Sequence, residues 1–297
     1  MASFTTTPAN FTNSSDANFR TWGSYIAARL GAVGLVQTGD TGQINWTTVL
    51  APTLASTFQG YEIWRFADTL QATAPVYIKI EYGSSTTSAN NPGVRISFGS
   101  GSNGSGTLTG NVSTTYLCSA TAVAGACVVV GSGSTNRFCI NYGFTTAGGY
   151  GMFFGFERSK DAAGNDTAEA VLGVMNNTVS SGGSTGQKFF PVWSTTLGDI
   201  GMTTNITAPA LFTPQSTATS GTQTVLAPIM HSKGVFMNPG LNFLGYYTAG
   251  PAPNGTPSVY MYGASHTYYT LPDASGISAT GWQGPGAGTE ALAIRYE

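Results

Sequence analysis

The chain has 297 residues, enough for one large all-β domain or two ordinary domains. Hydrophobic residues make up 41% and aromatic residues 12%, while charged residues make up 8%, about a third of the usual share, so Ser, Thr, Asn, Gln and Gly must carry solubility. Eleven basic and thirteen acidic residues leave a net charge of −2, which provides no electrostatic footprint for nucleic acid or a membrane surface and argues against both as partners.

The first residues, Met1-Ala2-Ser3-Phe4-Thr5-Thr6-Thr7, contain neither a basic n-region nor an apolar h-region, so nothing in them marks the chain for secretion. No uninterrupted apolar run approaches the ~20 residues of a membrane helix. Residues 1–16 are polar and of low complexity, as expected of an extended arm. Ser15 and Asp16 look like a helix start, and Phe19, Trp22, Ile26, Leu30 and Val33 follow at spacings of three and four. This predicts an amphipathic helix over 16–33, ended by Gly31 and Gly34. Gly23 inside it costs about 1 kcal/mol of helix propensity, so the helix must be held by docking its aromatic face on a larger surface. Residues 1–50 are therefore expected to form an arm and helix that dock to a neighbouring component.

From Tyr61 the period changes to two. Segments 61–66 and 76–82 alternate as strands do, and further strands are expected at 94–98, 114–118, 127–130, 137–141, 150–157, 170–175, 188–192, 224–229, 259–262, 266–270 and 291–296. Gly, Ser, Asn and Pro clusters separate nearly all of them. The expected fold is mainly β, an antiparallel β-sandwich or jelly-roll-like domain over 51–297 with one N-terminal amphipathic helix. A Thr-, Ser- and Pro-rich stretch at 207–224 is the best candidate for an internal boundary. Asp161 and Gly164 lie between two strands and predict an exposed hairpin over 158–167.

Residues that carry chemistry elsewhere look structural here. His231 and His266 stand apart from any Cys, Asp or Glu at metal-ligand spacing. Glu62, Glu81 and Glu157 alternate with apolar residues, which reads as the polar face of a sheet. The segment 161–166 lacks the alternating oxygen ligands of a calcium loop and reads as a turn. The run from Gly99 to Gly106 has no following helix and no nearby Lys, so it reads as a flexible surface loop, not a phosphate cradle. Cys118, Cys127 and Cys139 are an odd set and read as buried thiols, a Cys118–Cys127 hairpin bridge being the alternative. Asn-x-Ser/Thr triplets at Asn45, Asn103, Asn165 and Asn254 follow from composition. Tyr246, Tyr247, Tyr260, Tyr262, Tyr268, Tyr269 and Trp282 crowd the last third, where core or interface packing is favoured over sugar stacking. No catalytic, cofactor-binding or metal-binding residue is assigned, and no cofactor is expected.

The blocks Phe19-Arg20-Thr21-Trp22-Gly23, 34–44 (GLVQTGDTGQI), 60–66 (GYEIWRF), 74–83 (APVYIKIEYG), 155–164 (GFERSKDAAG) and 293–297 (AIRYE) resemble a pattern of tailed-bacteriophage virion proteins. The resemblance spans most of the chain and transfers no functional residues. It implies a virion component made in the host bacterial cytoplasm, of the tail, baseplate or fibre more than of the capsid shell. The leading expectation is a non-enzymatic structural protein that assembles as a homo-oligomer with other virion proteins. A module that binds a host-surface glycan is the alternative. A glycan depolymerase working through a carboxylate pair comes third, because the long repeated coils of tail depolymerases are absent.

Overall fold

The structure is a computed structural model that describes residues 2–6, 9–120, 122–144, 152–161, 165–176, 187–189, 192–196, 198–201, 226–233, 236–248, 258–261, 264–270 and 290–295, with side chains chiefly over 10–120, 131–140 and 154–159. The chain opens with β1 (Ala2–Thr6) and β2 (Ala9–Phe11), followed by α1 (Asp16–Ala32). Next come β3 (Val36–Gln37), β4 (Phe58–Arg65), β5 (Tyr77–Ser84), β6 (Pro92–Gly99), the short pair β7 (Gly101–Ser102) and β8 (Leu108–Thr109), and β9 (Tyr116–Ser119). A second run holds β10 (Val123–Ser134), β11 (Arg137–Phe144), β12 (Met152–Lys160), β13 (Asp166–Asn176), β14 (Gln187–Phe189), β15 (Val192–Ser194) and β16 (Gly198–Gly201). The last run holds β17 (Leu226–Lys233), β18 (Phe236–Thr248), β19 (Ser258–Met261), β20 (Ala264–Thr270) and β21 (Glu290–Arg295).

All pairings among these strands are antiparallel, so the mainly β class with one N-terminal helix is what the chain adopts. One sheet runs β3-β4-β5-β6-β9, and another runs β1-β10-β11-β12-β13-β15-β16 with β2 and β14 at its sides. Both are largely meanders of consecutive hairpins. The third, β17-β18-β21-β20-β19, comes near the second where β18 lies beside β12 and β21 beside β10.

Helix α1 forms where the sequence signals it. The Ser15 hydroxyl accepts from the Asn18 N–H at 3.2 Å, which caps the first turn. At the other end Gly34 takes φ +100°, the Gly34 N–H donates to Gly31 O and the Leu35 N–H to Leu30 O. This is a Schellman stop with both of its bonds. Gly31 stays inside the helix; Gly34 is the residue that ends it.

The stripe expected to seek a neighbouring component is used within the chain. Phe19, Trp22, Ile26, Leu30 and Val33 are buried in one core with Ile78, Ile80 and Tyr82 of β5, Val94, Ile96 and Phe98 of β6, and Phe138, Phe154 and Phe156 of β11 and β12. A boundary at residue 50 would cut through that core, so the helix is part of the fold. The physical reason is the inner face of the first sheet. Trp64, Ile78, Ile80, Tyr82, Ile96 and Phe98 line up across the ladders and need a cover. Phe98 stacks on Trp193 at 5.8 Å and meets Phe156 edge-on at 6.2 Å, which packs the first two sheets on each other.

The N-terminal arm is also different from expectation. β1 and β2 both pair antiparallel with β10, Ala2 opposite Gly133 and Ala9 opposite Ala126, with a register shift before Phe11 opposite Val123, so the arm lies on a sheet edge. Thr and Ser suit such an edge as well as they suit a loop. The expected hairpin is present: β12 and β13 pair, and Asp161 accepts from both the backbone and the side-chain nitrogen of Asn165, at 2.8 and 3.0 Å. The boundary proposed at 207–224 lies outside the described residues.

Candidate functional site

The most unusual chemistry among the described residues is at Glu62. Its position on β4 sets it on the inner face, across the ladder from Ile80 and two residues before Trp64. It is 2% exposed, which corrects the expectation that it lies on a polar sheet face. Three aromatic donors converge on its carboxyl group. The Trp46 indole N–H donates to Oε1 at 2.9 Å, the Trp64 N–H to Oε2 at 3.0 Å, and the Tyr82 hydroxyl to Oε2 at 2.8 Å. Burial pushes the acid above its ordinary range against the opposing pull of these three donors.

The rings form a continuous cluster. Trp46 meets Tyr82 edge-on at 4.8 Å and lies 5.8 Å from Phe19, and Trp22 lies 5.5 Å from both Phe19 and Phe11. The indole of Trp22 donates to Asn13 Oδ1 at 3.0 Å. The Asn13 amide in turn donates to the carbonyls of Gly83 and Ala89. Trp46 reaches Glu62 by crossing α1 at Gly23, where a β-carbon would come within 2.1 Å of the indole ring. That close approach explains a glycine in mid-helix.

Two other acids are tied to distant parts of the chain. Asp40 accepts from the Thr38 hydroxyl at 2.6 Å, the Gly106 N–H at 3.0 Å and the Ser102 hydroxyl. Burial pushes its carboxyl up, but the donors outweigh this and hold it below the ordinary range. The run from Gly99 to Gly106 is therefore no flexible loop. It enters the β7–β8 pair, closed by Asn103 Oδ1 accepting from the Ser105 and Thr107 N–H groups. Asp68 and Arg158 form a bidentate ion pair with the Arg158 side chain fully buried, and Arg158 Nη2 also donates to Ala74 O at 2.9 Å.

The remaining residues singled out by sequence divide cleanly. Glu81 sits on the outer face of the first sheet and pairs with Arg95 at 2.9 Å, as a polar sheet face requires. Glu157 is 2% exposed and stands opposite Arg137 in the β11–β12 ladder, so the polar-face expectation is corrected for it too. Cys118 and Cys139 are buried thiols in no disulfide, so the Cys118–Cys127 bridge is not formed. Burial pushes the Cys139 thiol up to about 11. His231 lies on β17 opposite Asn238 and His266 on β20 opposite Val259. Tyr246, Tyr247, Tyr260, Tyr268 and Tyr269 fall on strands of the third sheet. The side chains of these residues, and all of Tyr262 and Trp282, lie outside the described residues.

What Glu62 can do chemically is hold or release a proton in a site closed to water. Its bonded partners, two indoles and a phenol, include no second carboxylate. No group of three or more His, Cys, Asp or Glu gathers among the described residues, and no described helix is long and apolar enough to cross a membrane. Sequence reasoning missed Trp46 and Tyr82 as partners of Glu62, because nothing local joins three positions that meet only across a ladder and a loop. Comparison of the chain with protein-family models gives no match, and no curated protein matches it either.

Proposed function

We propose that the chain is a non-enzymatic structural component of a tailed-phage virion, of the tail, baseplate or fibre, that assembles as a homo-oligomer with itself and other virion proteins. The observation that carries the reading is where the few charges go. Of eleven basic and thirteen acidic residues, Asp40, Glu62, Arg137, Glu157 and Arg158 are buried, although such side chains are rarely buried in soluble proteins. Among the described residues the exposed positions are mostly Ser, Thr, Asn, Gly and Ala, with Leu50, Leu54 and Val112 exposed as well. Charged side chains are depleted from interface cores, so a surface with few of them has little charge to desolvate on entering one. The resemblance of the 60–66, 74–83 and 155–164 blocks to virion proteins supplies the biological setting.

Sedimentation velocity at micromolar concentration tests the assembly. A defined homo-oligomer is the expected result, and monomer alone overturns it. The same sample applied to immobilised host polysaccharide separates the roles. Retention of the chain favours a glycan-binding module, and release of reducing sugar makes it a depolymerase.

A further inference from the structure

The tip of the β7–β8 hairpin carries the pair Asn103-Gly104. Asn103, Gly104 and Ser105 are all exposed, and the Asn103 side chain is folded back over the loop. Its Oδ1 accepts from the Ser105 N–H at 2.9 Å and from the Thr107 N–H at 3.1 Å. The backbone is fixed on both sides of the pair. The Asn103 N–H donates to Thr107 O at 3.0 Å, and the Gly104 carbonyl accepts from the Thr41 N–H at 2.9 Å. The Gly104 N–H donates to Ser102 Oγ at 3.3 Å, while the Ser102 hydroxyl itself donates to Asp40. We propose that this hairpin tip is a site of spontaneous covalent modification, at which Asn103 cyclises onto the Gly104 nitrogen and is converted to aspartate and isoaspartate.

The step balances without a cofactor or an oxidant. The Gly104 nitrogen attacks Asn103 Cγ, a C–N bond forms between them, and the Cγ–Nδ2 bond breaks. Ammonia leaves with the proton that the Gly104 nitrogen gives up through water. Water then opens the five-membered imide: cleavage at Cγ leaves aspartate, and cleavage at the main-chain carbonyl leaves isoaspartate. Three features of the tip favour the closure. Negative charge develops on Oδ1 as the nitrogen adds, and two backbone N–H groups are already aimed at that oxygen. An Asn oxygen bonded to the N–H two residues on turns Cγ towards the nitrogen between them, so the reacting atoms need little search. Gly104 carries no side chain to obstruct the approach, and a β-carbon built on it would meet nothing within 4 Å, so the ring forms in open space. Asn45 supplies the contrast. Its Oδ1 likewise accepts from the Thr47 N–H at 2.9 Å, but the residue after it is Trp46, whose indole is seated against Glu62 and Tyr82. There the following nitrogen is crowded and fixed, and Asn45 keeps its amide.

The same hydrogen bonds could instead hold the tip too still to react, and the two cases differ in the sign of the effect of folding. The full, unsubstituted chain is incubated at neutral pH, folded in buffer and unfolded in urea, and the amide-to-acid mass change at each Asn is followed by peptide mapping over time. Asn254-Gly255, the other Asn-Gly pair in the chain, gives the intrinsic rate of such a pair in the urea sample. Asn103 should lose its amide on the order of ten-fold faster in the folded chain than in the unfolded one, less than the ~10²–10³ of a buried oxyanion donor because this tip is open to water. Isoaspartate should accompany aspartate at position 103, and Asn45 should stay unmodified in the folded chain. Loss at Asn103 that is equal or slower in the folded chain overturns the proposal, since the N–H groups on Oδ1 would then protect the residue. Aspartate at 103 with no isoaspartate also overturns it, because direct hydrolysis by water would have replaced ring closure.

Discussion

Replacing Gly23 by Ala sets two effects of known sign against each other. Helix propensity favours Ala by about 1 kcal/mol in a helix interior. Packing opposes it, because the new β-carbon would stand 2.1 Å from Cη2 and 2.3 Å from Cζ3 of Trp46, well inside the ~3.5–4.0 Å of carbon contact. The indole has no free direction of retreat within the core. Tyr82 meets it at 4.8 Å, Phe19 lies at 5.8 Å, and its N–H is held by Glu62. Staying in place means an overpacked site, at about 1–3 kcal/mol. Leaving means a lost bond to a buried carboxyl, also about 1–3 kcal/mol. Either route outweighs the propensity gain, and a net loss of about 1–2 kcal/mol is expected. Gly31→Ala in the same helix is the control, since its β-carbon would meet Trp64 at 3.7 Å, an ordinary contact, and up to about 1 kcal/mol of stability should be gained. Urea midpoints followed by far-ultraviolet circular dichroism measure both. A Gly23→Ala chain as stable as the unsubstituted one would refute the reasoning, because Trp46 would then not occupy the groove over Gly23.

Two further outcomes follow from the buried polar groups. Asp68→Ala leaves Arg158 sealed in the core without its counter-charge, and a loss of about 3–5 kcal/mol is expected; the double variant Asp68→Leu with Arg158→Met should recover most of it in the same urea assay. The Cys139 thiol, pushed up to about 11 by burial, should not react with a thiol reagent in the folded chain near pH 8 and should react on unfolding. Peptide mapping of the labelled sites distinguishes it from Cys118, a buried thiol as well.

Much of the fold was legible because local signals and tertiary demands agree. Ser15, the stripe from Phe19 to Val33 and Gly34 mark α1 by capping, period and a left-handed stop, and the helix runs Asp16–Ala32. The alternating segments at 61–66 and 76–82 become β4 and β5. Other elements were obscured where a breaker lies inside a strand. β18 contains Pro239 and Gly240, and its pairing with β17 shifts register between Ile229 and His231; a bulge of this kind erases the period-two signal. The polar arm carried no sign that β10 would offer it an edge. The hairpin after Gly99 likewise owes its order to Asp40, some sixty residues earlier.

Glu62 shows why a candidate site is harder to read than a fold. A Glu that alternates with apolar residues fits two faces equally well, and composition favours the solvent face because a lone buried carboxylate is costly. What reverses that preference is a set of donors from three parts of the chain. Trp64 comes from the same strand, Tyr82 from the neighbouring strand and Trp46 from the segment before β4. Only the first is visible from spacing, as residues i and i+2 on one face of a strand. Trp46 reaches the acid because position 23 of α1 lacks a side chain, so a helix glycine, a loop tryptophan and a strand glutamate make sense together and not singly. The same coupling makes the N-terminal segment inseparable from the β region. α1 forms one wall of the Glu62 site and holds the 45–56 segment that carries Trp46, so its apolar stripe is buried within the fold.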